Sequence, residues 1–240
     1  MVGAFPRYFA DIRPTTLRLT GNGDGAVLAR IRAAYERIES LYPAAVFPPV
    51  TFLIGRFGTG GTVRQSGIVI GTEFYGLDDD TPTDELQQFQ RTFVRPLDSI
   101  PVIIAHEHAH VLQSVARGVL AKPTKTLLDQ ALIEGSADFV GELASGTNVN
   151  AWLLPYAEPR EAALWDEFKL EMNGTDISRW LYNQAAASAE RPGDLGYFIG
   201  YRIAKAYYDR AADKAAALRD IIEMRDGAAF LAASGYTGGR

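Results

Sequence analysis

All three histidines of the chain lie within five consecutive positions, and two of them are spaced to hold one metal ion. His106, Glu107 and His110 form the pattern H-E-x-x-H. On a helix, residues four apart differ by about 40° in rotation and lie one turn apart, so both imidazoles can face the same ion. Glu107 then lies about 100° around the helix from His106, beside the ion, where a carboxylate can serve as general base. This arrangement is typical of catalytic zinc sites.

The residues around the pattern indicate a buried helix. Alone, H-E-x-x-H is short enough to occur by chance on a surface helix whose histidines bind nothing. Here the apolar segment 101–105 precedes the pattern, and Val111 and Leu112 follow it. Because buried polar groups without partners are costly, histidines inside such a helix need a ligand or a hydrogen-bonding partner.

A second helix offers the remaining parts of a zinc site. Catalytic zinc needs a third protein ligand and an open position for water. Glu134 follows His110 by 24 residues within a largely apolar segment, and Asp138 lies four residues further on, hence on the same helical face. Asp138 is placed to accept a hydrogen bond from the free nitrogen of a coordinated imidazole. Gly135 and Ala137 would let the two helices approach closely. We therefore predict that His106, His110 and Glu134 hold one Zn²⁺ per chain.

Two further polar residues near the pattern have different predicted roles. His108 lies about 200° around the helix from His106 and faces away from the ion, so we expect it to be hydrogen-bonded or partly exposed. Gln113 follows His106 by seven residues, two turns on, and returns to the metal face. We expect Gln113 to support a ligand side chain or to pack beside it.

The aromatic segment 197–208 is the predicted source of a donor to the substrate oxygen. An oxyanion that develops beside zinc needs a hydrogen-bond donor. The segment offers Tyr201, Tyr197 and Arg202, of which we place Tyr201 first. Aromatic residues at helical spacing are also typical of a packed core, so the segment has both interpretations.

The motifs resemble a known group of enzymes. H-E-x-x-H at 106–110 followed by E-x-x-x-D at 134–138 is similar to the gluzincin clan of zinc metallopeptidases, to which thermolysin belongs. The closer form, E-G-x-A-D with G-Y-x-x-G-Y-R at 196–202, resembles bacterial predicted zinc-dependent proteases, some of them exported or lipid-anchored. The resemblance covers residues 101–145 and 195–208, and Ile133 stands where thermolysin has asparagine. It implies an edge strand antiparallel to bound peptide, for which residues 66–74 are the candidate.

The composition is that of an ordinary globular protein, and it limits the kinds of partner and metal ligand that the chain can have. Of the 240 residues, 47% are hydrophobic and 22% are charged, which is enough to bury a substantial core. A net charge of −5 without a basic cluster argues against nucleic acid as a partner. The absence of cysteine excludes disulfides and thiolate ligands, so nitrogen and oxygen must hold any metal.

The sequence leaves the cellular location open. No apolar run reaches the roughly 18 residues of a membrane-spanning helix, and the N-terminus lacks a basic-then-apolar signal pattern. Such a chain is either cytoplasmic or exported with its targeting segment removed. The opening Met1-Val2-Gly3 would suit a mature sequence with a new start. Together with the resemblance to partly exported proteases, this favours a periplasmic or extracellular protein.

The first third of the chain predicts a small sheet with one helix. Residues 1–20 mix aromatics with two prolines and suggest extended chain, with one strand. Apolar residues at helical spacing predict a helix over Asp24–Leu41. Alternating apolar residues predict strands within 46–56 and 66–74. The glycine-rich segment 55–62 lacks the lysine of a phosphate-binding loop, so it is a flexible connection or a mobile flap above a cleft.

The rest of the chain is predicted to be mostly helical. Asp98 or Ser99 is expected to cap the histidine helix, which ends near Gly118, and Thr126 to cap a helix that ends near Gly146. Further helices are predicted near 160–171, 176–188, 195–212, 214–225 and 228–233. Strands followed by helices predict an α+β fold, for which the resemblance implies a thermolysin-like core. We expect a single domain, with a sheet part at 1–97 and a mostly helical part at 98–240.

The predicted function is zinc-dependent hydrolysis of peptide bonds in a peptide or protein substrate. Zinc would lower the pKa of a bound water to about 7. Glu107 would take the proton of this water as it attacks the peptide carbonyl, and would return it to the leaving amine. An aminopeptidase or a non-peptide amidohydrolase would use the same site. The non-enzymatic alternative is a zinc-stabilised binding module, although a purely structural site has no use for Glu107.

Overall fold

The chain begins with two helices rather than with extended segments. The computed structural model describes residues 5–19, 25–188 and 190–239. Helix α1 spans Pro6–Arg18 and α2 spans Gly25–Leu41. The expectation of a strand within residues 1–20 is therefore wrong, because Pro6 lies in the first turn of a helix, where its missing N–H costs nothing. The second helix is confirmed, whereas the proposed cap at Asp24 lies outside the described residues.

Three short strands form one sheet, and its order differs from the expected one. They are β1 (Val50–Leu53), β2 (Gly61–Arg64) and β3 (Gly67–Gly71), arranged β1-β3-β2. Strand β3 pairs in parallel with β1 and antiparallel with β2. The prediction that 66–74 forms an edge strand is therefore wrong: β3 lies in the centre, with four of its five residues buried. The edge that faces the later helices is β2, which begins inside the glycine-rich segment.

Two long helices carry the histidines and the acidic pair. After α3 (Gln88–Phe93), α4 spans Ile100–Ala116 with Pro101 in its first turn, as predicted. Ser99 precedes the helix and makes no side-chain capping hydrogen bond, so the cap expected from Ser99 is not formed. Helix α5 spans Leu127–Ser145, and here the predicted cap is confirmed: Thr126 Oγ1 accepts a hydrogen bond from the Asp129 amide. It ends at Gly146, whose φ of 79° lies in the left-handed region that glycine allows.

Helix α5 lies between two neighbours and meets each of them at a glycine. A Cβ at Gly135 would lie 2.1 Å from the Tyr201 amide nitrogen, and a Cβ at Gly200 would lie 1.8 Å from the Ala131 carbonyl oxygen. These two glycines let α5 and helix α8 (Leu195–Arg210) approach backbone to backbone. On the α4 side it is Gly141 that faces the His106 backbone, since a Cβ at Gly141 would lie 3.1 Å from the His106 amide nitrogen. The prediction that Gly135 lets α4 approach α5 is therefore wrong, because Gly135 faces α8 and Gly141 faces α4.

The C-terminal third consists of helices joined by tight connections. The helices of this part are α6 (Leu154–Ala157), α7 (Glu161–Glu171), α8 (Leu195–Arg210), α9 (Lys214–Ile222) and α10 (Gly227–Ser234). The predicted helix at 176–188 is wrong, since only Gln184–Ala186 forms a single 3₁₀ turn there. Other 3₁₀ turns lie at Thr72–Phe74, Thr83–Glu85, Leu97–Ser99, Val119–Ala121, Ala151–Leu153 and Glu158–Arg160.

Helix α4 belongs to both hydrophobic clusters of the described residues. Ala105 and Ala109 pack in the cluster of α5, α8 and the C-terminal helices. Ile100, Ile104 and Val111 pack in the cluster of α1 and the sheet. The histidine helix is therefore fixed from two sides, which suits a site that needs precise geometry. The small sheet and many helices confirm the predicted α+β class. No helix among the described residues is long and apolar enough to cross a membrane.

Candidate metal centre

The three predicted ligands converge at the interface of α4 and α5. Nε2 of His106 and Nε2 of His110 lie 3.1 Å apart. Oε2 of Glu134 lies 3.3 Å from the His110 nitrogen and 3.8 Å from the His106 nitrogen. Two ligands of a tetrahedral zinc ion, each at about 2.0–2.1 Å, are roughly 3.3 Å apart. Two imidazoles and one carboxylate at this spacing therefore fit a zinc ion.

Asp138 holds the far side of the His106 ring. Its Oδ1 lies 2.8 Å from Nδ1 of His106, and neither atom has another hydrogen-bond partner among the described residues. The contact is short but not aligned as an ordinary hydrogen bond. The second oxygen, Oδ2, accepts a 2.9 Å hydrogen bond from Asn150 Nδ2. The structure thus places Asp138 where the helical spacing predicts it, and adds Asn150 behind it.

Gln113 fixes the orientation of the His110 ring, as Asp138 does for His106. The Nδ1–H of His110 donates to Gln113 Oε1 at 2.8 Å. The amide nitrogen of Gln113 donates to the carbonyl of Ile133 and to Oγ of Ser136, at 3.0 and 2.9 Å. Gln113 therefore ties the ring of His110 to the backbone of α5. Because both Nδ1 atoms face the protein, both Nε2 atoms face the site.

Glu107 lies beside the three ligands without a partner of its own. It is buried, and no hydrogen bond or ion pair joins its carboxylate to another described residue. Burial raises the pKa of Glu107, and the attraction of His106 and His110 opposes this only in part. Its Oε1 lies close to the backbone of β2, because a Cβ at Gly61 would be only 2.7 Å away. The carboxylate faces a cavity of about 670 Å³ that the three ligands also line.

Charge and hydrogen bonding keep Glu134 ionised. Burial acts to raise its pKa, but His110, His106 and the hydroxyl of Tyr182 outweigh this and hold the pKa at about 2. Burial acts to lower the pKa of His110, yet Glu134 raises it to about 9. The two residues therefore attract each other strongly across the helix interface.

Tyr182 is a site residue that the sequence did not predict. Its hydroxyl donates to Oε1 of Glu134 at 2.6 Å. Tyr182 has a φ of 54° and follows the buried Trp180 and Leu181, so the chain turns sharply at this point. The sequence prediction missed Tyr182 because it placed a helix at 176–188, and a helix would contain no such turn. The motif spacing offered no indication of this contact.

Tyr197 is the predicted donor that reaches the cavity. Its ring stacks on His106 with centroids 6.5 Å apart, and it meets the Tyr182 ring edge-on at 6.2 Å. Both tyrosines line the same cavity as the ligands. Burial raises the pKa of Tyr197 well above its usual value, so its hydroxyl stays protonated and can donate.

Tyr201 and Arg202 lie away from the cluster, which corrects two predictions. The Tyr201 hydroxyl interacts with Glu142, and its ring packs against Phe139 at 6.0 Å. Arg202 Nε lies 2.8 Å from Oε1 of Glu161 in an ion pair. One turn along α8 moves a side chain about 5.4 Å. That distance carries Tyr201 from the cavity into a separate depression behind α5.

His108 has a structural role, as its position on the helix suggests. It is fully buried, and its Nε2–H donates to the Val46 carbonyl at 2.6 Å. Its ring packs between Tyr35 and Phe47, with centroids 4.7 and 4.9 Å away. Burial lowers the pKa of His108, which keeps the ring neutral. His108 thus fastens the segment before β1 to the back of α4.

The sequence matches one protein family over the part that contains this site. The two-helix site with H-E-x-x-H and a distant glutamate is of the zinc-protease type. Residues 86–222 match the family described as "Predicted Zn-dependent protease (DUF2268)". This is more than half of the chain, so the protein belongs to that family. The match includes all three ligands, Glu107, Tyr182 and Tyr197, whereas the sheet lies outside it. No curated protein and no solved structure matches the chain.

Proposed function

We propose that this protein is a zinc-dependent peptidase of the gluzincin type. The observation that carries the proposal is the position of Glu107. It is a buried carboxylate without a hydrogen-bond or ion-pair partner in the described part of the chain, next to three donor atoms that lie within 4.8 Å of one another. A purely structural zinc site has no need for such a group, whereas a hydrolase needs a base beside the water that attacks.

The residues that would hold Zn²⁺ are His106, His110 and Glu134. A bound zinc ion supplies a Lewis acid that lowers the pKa of water and polarises a carbonyl oxygen. Asp138 and Gln113 hold the two rings with their Nε2 atoms toward the site. Contacts of this kind behind the ligands raise metal affinity and fix the coordination geometry.

Glu107 accepts the proton of the attacking water and delivers it to the leaving amine. Its raised pKa favours this exchange, because a base is most effective when its pKa lies near the working pH. The start of β2 packs closely on this carboxylate, since a Cβ at Gly61 would lie 2.7 Å from Glu107 Oε1.

Tyr197 is the donor that we assign to the substrate oxygen. Its hydroxyl makes no hydrogen bond to a described residue and lies in the wall of the cavity, whereas that of Tyr182 is engaged with Glu134. A preorganised donor of this type contributes roughly 10²–10³-fold to the rate. This replaces the role first predicted for Tyr201.

The substrate is proposed to bind along the edge of β2. Gly61, Thr62 and Val63 line the cavity, and among the described strands β2 pairs only with β3. An extended peptide can add to such an edge through main-chain hydrogen bonds. Edge binding favours a peptide over a non-peptide amide as substrate.

Zinc content and peptide cleavage test the proposal together. Purified protein should contain about one zinc per chain, and a mixture of blocked decapeptides should be cut, as followed by mass spectrometry. Glu107→Gln should keep the zinc and lose at least ~10³-fold in rate, because it removes the base and retains the shape. His110→Ala should lose the metal. Zinc binding without cleavage of any peptide would support the binding-module alternative, and cleavage of unblocked peptides alone would indicate an aminopeptidase.

A further inference from the structure

The cavity of the metal centre extends past the three ligands toward the connection between α4 and α5. In the middle of α4, His106 faces Gly141 near the end of α5. Near the end of α4, Gln113 donates to the carbonyl of Ile133, which lies earlier on α5. The two helices are therefore antiparallel, and the end of α4 and the start of α5 meet at the same end of the cavity.

Three polar side chains line this end of the cavity, and we call them the donor end: Ser114, Lys125 and Gln130. Ser114 follows the ligand His110 by four residues on α4. Gln130 precedes the ligand Glu134 by four residues on α5. Each therefore shares a helical face with a ligand and lies about 6 Å further along its helix. Neither side chain makes a hydrogen bond to another described residue, so both can donate to a group in the cavity.

Lys125 brings a positive charge that forms no ion pair with a described residue. It is partly buried and immediately precedes Thr126, which caps α5. Its Nζ donates to the Lys122 carbonyl at 3.0 Å, which restrains the ammonium group without neutralising its charge. Lys122, by contrast, lies 2.6 Å from Asp129 in an ion pair. In the described part of the chain, Lys125 is the only lysine or arginine that lines this cavity.

The balance of charge favours an anion at the donor end. Among the described residues, the acidic side chains that line the cavity are those of Glu107 and Glu134. A bound Zn²⁺ would balance both carboxylates, because histidines bind zinc as neutral imidazoles. The charge of Lys125 would then remain uncompensated. A carboxylate group is the partner that suits an ammonium together with hydroxyl and amide donors, because it only accepts hydrogen bonds.

We propose that the donor end binds a carboxylate of the substrate, two or three residues from the cleaved bond. The assignment rests on the proposed peptidase function and names acidic peptides as the substrate class. Along α5, Gln130 lies about 6 Å from Glu134, and Leu127 about 10.5 Å. An extended peptide advances about 3.3 Å per residue, so these distances correspond to two or three residues. The carboxylate belongs either to an aspartate or glutamate side chain or to the C-terminus of the peptide.

Changing the charge at Lys125 tests the assignment. Blocked peptides with one glutamate, placed on either side of the cleaved bond, are compared with the same peptides carrying glutamine. Wild type should favour glutamate at least ~10-fold in kcat/KM, because charged hydrogen bonds are stronger than neutral ones. Lys125→Met should bring this ratio close to 1, Lys125→Arg should keep most of it, and Lys125→Glu should favour lysine at the same position. A ratio that Lys125→Met leaves unchanged would overturn the assignment.

Lys214→Met is the matched control. Lys214 begins α9, and its Nζ likewise donates to backbone carbonyls, those of Tyr208 and Asp209, at 2.7 and 3.0 Å. It is exposed and does not line the cavity. Lys214→Met should therefore keep the wild-type ratio of glutamate to glutamine peptides. Equal losses in Lys214→Met and Lys125→Met would show an effect of overall charge and would contradict a carboxylate site at Lys125.

A binding measurement separates this inference from the proposed function. Calorimetry on zinc-loaded Glu107→Gln would compare glutamate with glutamine peptides, and free with amidated C-termini. The preferred carboxylate should bind at least ~10-fold more tightly and thereby identify its source, and a further Lys125→Met should abolish the advantage. If wild type cleaves nothing but this pattern appears, the carboxylate site stands and the peptidase function fails. If peptides are cleaved but neither carboxylate improves binding, the peptidase function stands and the carboxylate site is wrong.

Discussion

Tyr182 Oη donates to Oε1 of Glu134 at 2.6 Å, while Oε2 of the same carboxylate faces His106 and His110. One residue from a turn between α7 and α8 thereby fixes the rotation of a ligand on α5. The turn is itself held, since Asn183 and Asp194 exchange two hydrogen bonds, each from a backbone amide to the other side chain. The proposed zinc site therefore depends on a segment that carries none of the three proposed ligands.

Tyr182→Phe removes this hydroxyl and keeps the ring. We expect zinc affinity to fall about 10-fold, because a lost hydrogen bond behind a ligand frees the ligand to rotate. Competition with a zinc-binding dye measures the affinity. Tyr156→Phe is the control, since its hydroxyl bonds an exposed carbonyl at Glu190, away from the site. Equal affinities in both variants would show that Tyr182 does not position Glu134.

Asp138→Asn should weaken zinc binding by about 10–100-fold, because it removes the charge that holds the His106 ring. The asparagine keeps the size of a side chain that is only 1% exposed. Asp209→Asn, in an exposed ion pair with Lys205, should leave the affinity unchanged. Isothermal calorimetry with zinc checks both, and thermal melts of the metal-free proteins confirm folding. An unaltered affinity in Asp138→Asn would contradict the role assigned to the 2.8 Å contact.

Gly61→Ala should reduce turnover while the zinc stays bound. The new methyl group would lie 2.7 Å from Oε1 of Glu107 and 2.9 Å from Cγ1 of Ile103, so the base must move. Misplacement of a reacting group by about 1 Å can cost roughly 10²-fold in rate. Gly58→Ala is the matched control in the same segment, because nothing lies within 4 Å of its Cβ. A steady-state assay together with zinc analysis tests the pair; similar rates would remove the steric argument.

Gly200→Ala should destabilise the fold by about 3 kcal/mol or more. Its Cβ would lie 1.8 Å from the Ala131 carbonyl oxygen, so α8 must separate from α5. Gly25→Ala, whose Cβ meets nothing within 4 Å, should change the free energy of unfolding by less than about 1 kcal/mol. Urea denaturation measures both. A small effect at Gly200 would mean that the two helices do not pack as closely as described.

We predict that Tyr42 makes the free energy of unfolding depend on pH. Burial, and then its 2.9 Å hydrogen bond to Glu223, raise the pKa of Tyr42 to about 12, above its usual value of about 10. The raised pKa means that this contribution is complete below pH 10 and is lost as pH rises to about 12. Tyr42→Phe should therefore be about 1 kcal/mol less stable than wild type at pH 8. The difference in unfolding free energy between wild type and Tyr42→Phe should shrink between pH 10 and 12. The contributions of the other tyrosines cancel in this difference because both proteins contain them. A constant difference would contradict the raised pKa.

The convergence of His106 and His110 was predictable because local helix geometry decides it. Four residues make nearly one helical turn, so the spacing of His106 and His110 fixed their convergence once α4 formed. The spacing of four residues likewise places Glu134 and Asp138 on the same face of α5. The caps of α5 followed from Thr126 and Gly146. His108 could be set aside for the same reason, since 200° of rotation turns it to the opposite side of α4.

Only the tertiary structure decided which loops and which strand edge approach α4 and α5. No helical period relates Tyr182 to Glu134 or Gly61 to Glu107, because these contacts depend on how loops and sheet edges pack. Strand order likewise depends on pairing across the sheet, so β2 rather than β3 provides the edge. Tyr197 and Tyr201 share one face of α8 in sequence terms. One helical turn separates them along the axis, and the packing of Gly200 on α5 decides that Tyr197 rather than Tyr201 lies at the metal centre.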